Sequence, residues 1–198
     1  MTPVKICGIT RAEDAALAAE LGASFIGFVL WPGSPRAASL EQVRVITPML
    51  PRHVTPVGVF VNPTAEAISA AADAGIRLAQ VTSDTLGLSL GDAVPVLRAV
   101  HLKDDGIEPD VRDELVLLDA HDPVRHGGTG KTVDWPRARV IASQRRVILA
   151  GGLTPANVGQ AIREVRPYAV DVASGVEASP GVKDHGLLRA FFAAVKEG

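Results

Sequence analysis

"VKICGITRAEDAALAAELGASFIGFVLW", residues 4–31, decides the fold. Its first segment, Val4 to Cys7, is short, β-rich and apolar apart from Lys5, and reads as a strand. "RAEDAALAAELGA" (11–23) is rich in Ala and Leu and reads as a helix. Thr10 stands where an N-cap belongs and Glu13 follows three residues later, the pattern of a capping box. Gly22 is suited to close that helix in a left-handed conformation. "FIGFVLW" (25–31) then returns to a strand. A strand, a helix and a second strand in this order pair their strands in parallel, because the helix carries the chain back.

The same alternation runs to the end of the chain. Helix 40–50 leads to strand 56–61, and helix 65–76, opened by Pro63 and Thr64, leads to strand 78–81. The next stretch, "TSDTLGLSLGDA", is a poor helix because of its Gly and Ser content. Strands at 95–102 and 115–120 enclose the charged, Pro-broken "KDDGIEPDVRDE". A long loop leads to a helix near 135–143, a strand at 146–151, a helix at 155–165, a strand at 169–174 and an amphipathic closing helix at 185–197. Eight strands, most of them followed by a helix and several apolar on both faces, close most simply into a (β/α)8 TIM barrel. The rival, an open doubly wound sheet, typically has about five to seven strands. With 198 residues the units are short, so residues 1–198 read as one minimal barrel domain.

Composition narrows the function classes. The core must be aliphatic, since 47% of residues are hydrophobic but only 4% aromatic. A net charge of −2 argues against a nucleic-acid partner. No apolar run is long enough to cross a membrane, and the N-terminus lacks the layout of a secretory signal. A single cysteine rules out an intramolecular disulfide and fits a reducing cytoplasm.

In a barrel the chemistry gathers at the C-terminal ends of the strands. Cys7 ends the first strand, Asp119 lies near the end of the sixth and Asp171 lies on the eighth. Lys5 and Cys7 are two apart, so they share a face. A neighbouring cation favours thiolate, which makes Cys7 a candidate base or nucleophile. The alternative is an inert buried cysteine above a lysine that reaches out of the barrel floor. If Lys5 points inward it needs a counter-charge, for which Asp171 is the candidate. Asp119, inside an apolar strand, is either paired or poised for proton transfer. Asp122, His121 and His126 fall in the following loop, where solvated roles are expected. Gly151 and Gly152 after the seventh strand, and Ser174 and Gly175 after the eighth, stand where barrels bind phosphate through backbone N–H groups. "GGTGKT" (127–132) imitates a nucleotide loop, but Arg125 occupies the position of its first glycine. It reads as a flexible loop over the site. No residues carry credible metal-ligand spacing.

Several blocks taken in order resemble the phosphoribosylanthranilate isomerase family. They are "KICGIT" (5–10), "PGSPR" (32–36), "GVFVN" (58–62), "LLDA" (117–120), "GGTGKTVDW" (127–135), "LAGGLTPANV" (149–158) and "VDVASGVEASPGVKD" (170–184). The resemblance implies an Amadori rearrangement in tryptophan biosynthesis, with no cofactor and no metal. It implies a phosphorylated small-molecule substrate and leaves monomer and homodimer open. By motif position, Asp119 would be the general acid and Cys7 the general base. Arg36 would hold the anthranilate carboxylate and Asp171 would contact ribose hydroxyls. Gly151, Gly152, Ser174 and Gly175 would cradle the phosphate.

Two blocks depart from the family pattern. Gln80-Val81-Thr82-Ser83 stands where Gln-Leu-His-Gly is usual, and Ala173 replaces a Ser. The rivals are other phosphosugar barrels, namely a ribulose-phosphate epimerase or an indole-glycerol-phosphate synthase. Further rivals are a relative taking a histidine-pathway or dual substrate, and a non-catalytic phosphate-binding barrel. Arg36 favours the anthranilate ligand because that ligand carries a carboxylate.

Overall fold

The strand and helix order of the sequence closes on itself. The computed structural model describes residues 1–82, 93–102, 114–120 and 133–198. The eight barrel strands are β1 (Val4–Cys7), β2 (Phe25–Val29), β3 (Thr55–Val61), β4 (Leu78–Thr82), β5 (Val96–Leu102), β6 (Leu115–Ala120), β7 (Arg146–Leu149) and β8 (Ala169–Val172). Each pairs in parallel with the next, and β8 returns to β1, giving a closed barrel in strand order 1 to 8. This is the TIM barrel that the alternating pattern predicts. Helices α1 (Ala12–Leu21), α2 (Leu40–Ile46), α3 (Ala65–Asp73), α4 (Trp135–Ala142), α5 (Val158–Val165) and α6 (His185–Glu197) are the α-helices among the described residues.

Two packed layers follow from strand alternation. One set of side chains, including Ile6, Ile26, Phe28, Val116 and Val147, joins Ala15, Ala18, Val43, Ile162 and Phe191 from the helices in the main core. The other set, including Leu97, Leu117, Ile148 and Ala169, fills the barrel interior. Small aliphatic residues suit an interior this narrow.

Boundaries depart from the sequence reading where a local contact overrides the pattern. Helix α1 has Arg11, not Thr10, at its N-cap, and no side chain caps it. The Thr10 hydroxyl instead donates to the Gly181 carbonyl at 2.6 Å, a contact across the whole chain. The reciprocal capping box belongs to α2, between Ser39 and Gln42. Gly22 does close α1, at φ 104°. Helix α2 stops at Ile46 because Pro48 lacks an N–H, and residues 47–49 tighten into a 3-10 turn. β7 ends at Leu149 because Gly151 and Gly152 take φ of 82° and 63°, which no strand continues. α5 begins only at Val158, since Asn157 Oδ1 accepts from the Thr154 N–H and its Nδ2 donates to the Gly152 carbonyl.

One element has no counterpart in the sequence reading. After β8 a 3-10 turn (Ser174–Val176) leads into an antiparallel hairpin, β9 (Glu177–Ser179) and β10 (Val182–Lys183). Pro180 and Gly181 turn it, and Gly181 has φ 81°. "GGTGKT", His121, Asp122, His126 and the segments 83–92 and 103–113 lie outside the described residues.

Candidate active site

The C-terminal strand ends open onto a cavity of about 530 Å³, within the range of small-molecule sites. Cys7, Arg36, Asp119, Gly151, Gly152, Asp171 and Ser174 line it, and so do Gln80 and Trp31. Seven of the eight residues singled out by sequence thus line one cavity. Gly175 is the exception. A Cβ there would stand 1.9 Å from the Leu153 carbonyl oxygen. The glycine lets the loop after β8 pack onto the loop after β7, and it is absent from the cavity lining.

The floor is built by β1 and its neighbours. Cys7 and Lys5 point inward, because a Cβ on Gly27 of β2 would meet Cys7 Sγ at 3.0 Å and Lys5 Nζ at 3.3 Å. Gly27 therefore makes the space that the thiol and ammonium occupy. Lys5 is fully buried, and its Nζ donates to Asp171 Oδ2 at 2.9 Å across the register partners Lys5 and Asp171. Asp171 Oδ1 is buried with no hydrogen-bond partner among the described residues. Burial alone pulls the Lys5 ammonium down, but the Asp171 charge and the nearby thiol outweigh it and hold it above its usual value. For Cys7 the balance runs the other way. Burial pushes the thiol up, Lys5 and Lys183 only partly offset it, and Asp171 adds to the rise. The sequence reading of a thiol lowered by its cation is therefore corrected: Cys7 titrates above an ordinary cysteine.

The rim is built by the loop after β2 and the hairpin. Gly8, at φ 74°, leaves room for the Arg36 stem, since a Cβ there would stand 2.9 Å from Arg36 Cδ. Ser34 Oγ accepts from the Arg36 N–H at 3.1 Å. Arg36 Nε donates to both carboxylate oxygens of Glu177, at 2.9 and 3.0 Å, and Nη2 donates to Oε2 at 2.7 Å. The fork expected to meet a ligand is thus spent, along one edge, on Glu177. Lys183 Nζ reaches Glu177 Oε1 at 2.9 Å and the Ala173 carbonyl at 3.2 Å. Burial pushes the Glu177 carboxyl up, but the Arg36 hydrogen bonds and the Lys183 charge outweigh it and hold it below the carboxylate range. Burial dominates at Lys183 and lowers it despite Glu177.

Asp119 lies on β6, where Leu117 and Leu118 beside it are buried, and reaches the cavity wall. Gln80 on β4 is buried, and its Oε1 has no hydrogen-bond partner among the described residues. Gly151 and Gly152 present the turn after β7, and Ser174 opens the 3-10 turn after β8. Among the described residues no three His, Cys, Asp or Glu side chains gather as a metal site, and no helix is long and apolar enough to cross a membrane. Sequence reasoning overlooked Gly27, Glu177 and Lys183 as parts of the site. The Pro180-Gly181 dipeptide was the one local signal for the hairpin.

A closed parallel barrel with ionisable groups and glycine turns around one mouth defines a TIM-barrel enzyme. Comparison with known proteins then fixes which one it resembles. The sequence model of N-(5'phosphoribosyl)anthranilate (PRA) isomerase matches residues 4–194. The N-(5'-phosphoribosyl)anthranilate isomerase of Pelobacter propionicus is 43% identical over 100% of this chain and 97% of its own. A phosphoribosyl anthranilate isomerase solved with reduced 1-(o-carboxyphenylamino)-1-deoxyribulose 5-phosphate superposes with TM-score 0.83 at 36% identity, covering 99% of each chain. The dimeric enzyme of Thermotoga maritima, solved as monomers, gives 0.86 at 37% identity, again covering 99% of each chain. The chain belongs to the phosphoribosylanthranilate isomerase family. It is an isomerase of tryptophan biosynthesis acting on N-(5'-phosphoribosyl)anthranilate.

Proposed function

We propose that Asp119 and Cys7 perform the two proton transfers of an Amadori rearrangement on N-(5'-phosphoribosyl)anthranilate. Asp119 gives a proton to the furanose ring oxygen. The C1–O bond breaks, and the amine nitrogen lone pair forms the C1–N double bond of a Schiff base. Cys7, as thiolate, removes the proton from C2. The electrons left behind form the C1–C2 double bond of an enamine and neutralise the nitrogen. Tautomerisation of this enol yields 1-(2-carboxyphenylamino)-1-deoxyribulose 5-phosphate. Atoms and electrons balance within the substrate, so no external oxidant is required.

One observation carries this reading: a carboxyl from β6 and a thiol from β1 line the same cavity. The acid and base therefore come from separate strands, as two reactions at different sugar atoms require. Remote groups orient the sugar between them. Gly151, Gly152 and Ser174 offer backbone N–H groups to the phosphate. Gly175 supports that cradle by letting the loops after β7 and β8 pack together. Asp171 Oδ1, buried and unpartnered, is an acceptor for a ribose hydroxyl. Arg36 meets the anthranilate carboxylate with the edge that Glu177 leaves over.

The raised thiol fits a base that is protonated before the substrate arrives and active only as its minor form. A lone cysteine of this kind also fits a reducing, cytoplasmic setting. The test is a fluorescence assay on freshly generated phosphoribosylanthranilate, run beside the histidine-pathway aminoimidazole substrate. Turnover of the first with loss of activity in both Cys7→Ser and Asp119→Asn supports the reading. Turnover of the imidazole substrate alone overturns it.

A further inference from the structure

We propose that Glu177 is the positioning residue that aims Arg36 at the carboxylate on the aromatic half of the substrate. The proposal rests on the reading of Arg36 as the carboxylate ligand and explains how one flexible side chain does that work. Arg36 starts 141 residues away from Glu177. Yet the two meet through three contacts between 2.7 and 3.0 Å that engage Nε and Nη2 together. A two-point contact fixes the plane of the guanidinium, which a single contact would leave free to rotate. Gly8 beneath the stem and Ser34 at the backbone remove the remaining freedom. Among the described residues Nη1 makes no hydrogen bond, so the unspent edge is the one left for a cavity ligand.

Glu177 is itself immobilised. It accepts from Lys183 Nζ at 2.9 Å and from the Gly181 N–H at 3.3 Å. Thr10 ties the same hairpin turn to the loop between β1 and α1 through the Gly181 carbonyl. The hairpin is therefore a fixed bracket for Arg36, and Pro180 at its tip lines the cavity. The charges also fit the role. Arg36 and Lys183 are two cations around one carboxylate, which leaves one net positive charge facing an anion. A guanidinium held beforehand in its binding orientation loses less freedom when the ligand arrives.

Charge and orientation predict opposite signs, and this makes the proposal testable. Glu177→Gln raises the local charge by one, so electrostatics alone would tighten the binding of an anion. Loss of orientation would weaken it. Two ligands separate the cases: the reduced product analogue, which carries the benzoate carboxylate, and its phenyl counterpart without one. Glu177→Gln strands a buried Lys183, so the double variant Glu177→Gln/Lys183→Met, which keeps the original net charge, is measured beside it. Thermal melts confirm that each variant is folded.

Both variants are expected to weaken the carboxylated analogue about tenfold and leave the phenyl analogue within about twofold. In Glu177→Gln, KM for the substrate should rise by about the same factor while kcat stays within about twofold; the double variant is compared by analogue binding alone, because Lys183 also acts on the Cys7 thiol. A folded variant that binds the carboxylated analogue as tightly as wild type or tighter would overturn the proposal, as would equal loss of both analogues. Arg36→Ala separates the two failures. If it cannot distinguish the analogues, Arg36 does not read the carboxylate and both ideas fall. If it distinguishes them and the Glu177 variants do not, only the bracket is wrong.

Discussion

Two charged trios, a buried one at the floor and a partly buried one at the rim, flank the cavity, and they are built on opposite balances. At the floor, Lys5 is shared between the Asp171 carboxylate and the Cys7 thiol, so the trio is neutral while the thiol keeps its proton. At the rim, Glu177 is shared between Arg36 and Lys183, so the trio keeps a net positive charge. A neutral trio that turns anionic on losing a proton is suited to take that proton back from carbon. A cationic trio locked by a bidentate contact is suited to hold an anion. The difference teaches that burial alone does not assign a role. The count of partners around each charge does.

The division can be broken or sharpened from its largest consequence downward. Asp119→Asn removes the proposed general acid and should lower kcat about a thousandfold, with the affinity for the reduced analogue almost unchanged; steady-state kinetics and a binding titration check both halves. Lys5→Met strands a buried carboxylate and should cost about 3–5 kcal/mol in urea unfolding. Lys5→Met/Asp171→Asn should recover most of that loss if the ion pair is its cause. Gly175→Ala forces a methyl group against the Leu153 carbonyl and should cost about 1–3 kcal/mol, again read by urea unfolding.

The smallest effect is the most specific to the floor. Because burial raises the Cys7 thiol, the thiolate is a minority at neutral pH. The value of kcat/KM should therefore climb by about tenfold per pH unit above neutrality and level off only beyond the ordinary thiol range. In Lys5→Met/Asp171→Asn the midpoint of that climb should move, while a rim variant such as Glu177→Gln should leave it in place. A flat profile across this range would remove Cys7 as the titrating base.

The floor was legible in the sequence and the rim was not, for a physical reason. Lys5 and Cys7 lie two apart on a strand, and the period of a strand puts them on one face without any tertiary knowledge. Asp171 followed from the need of a buried cation for a partner. The barrel itself was legible because its strands and helices repeat in fixed order. β9 and β10, with three and two residues, are too short to show any period. Nothing in the local sequence therefore marks Glu177 and Lys183 as parts of the site; only the folded hairpin brings them to Arg36. Thr10 shows the same limit in reverse. Its local pattern satisfies a capping box, but a carbonyl 171 residues away competes for its hydroxyl and wins. Gly175 stands in an expected phosphate loop, yet its lack of a side chain is explained by a packing contact that sequence does not reveal.

The most direct test of the floor as the proton-moving end is Cys7→Ser, assayed for turnover of phosphoribosylanthranilate and for binding of the reduced product analogue in the same preparation. The account predicts a fall in kcat of about a thousandfold with the analogue bound within about threefold of wild type. Turnover within about tenfold of wild type in a folded Cys7→Ser protein would contradict it.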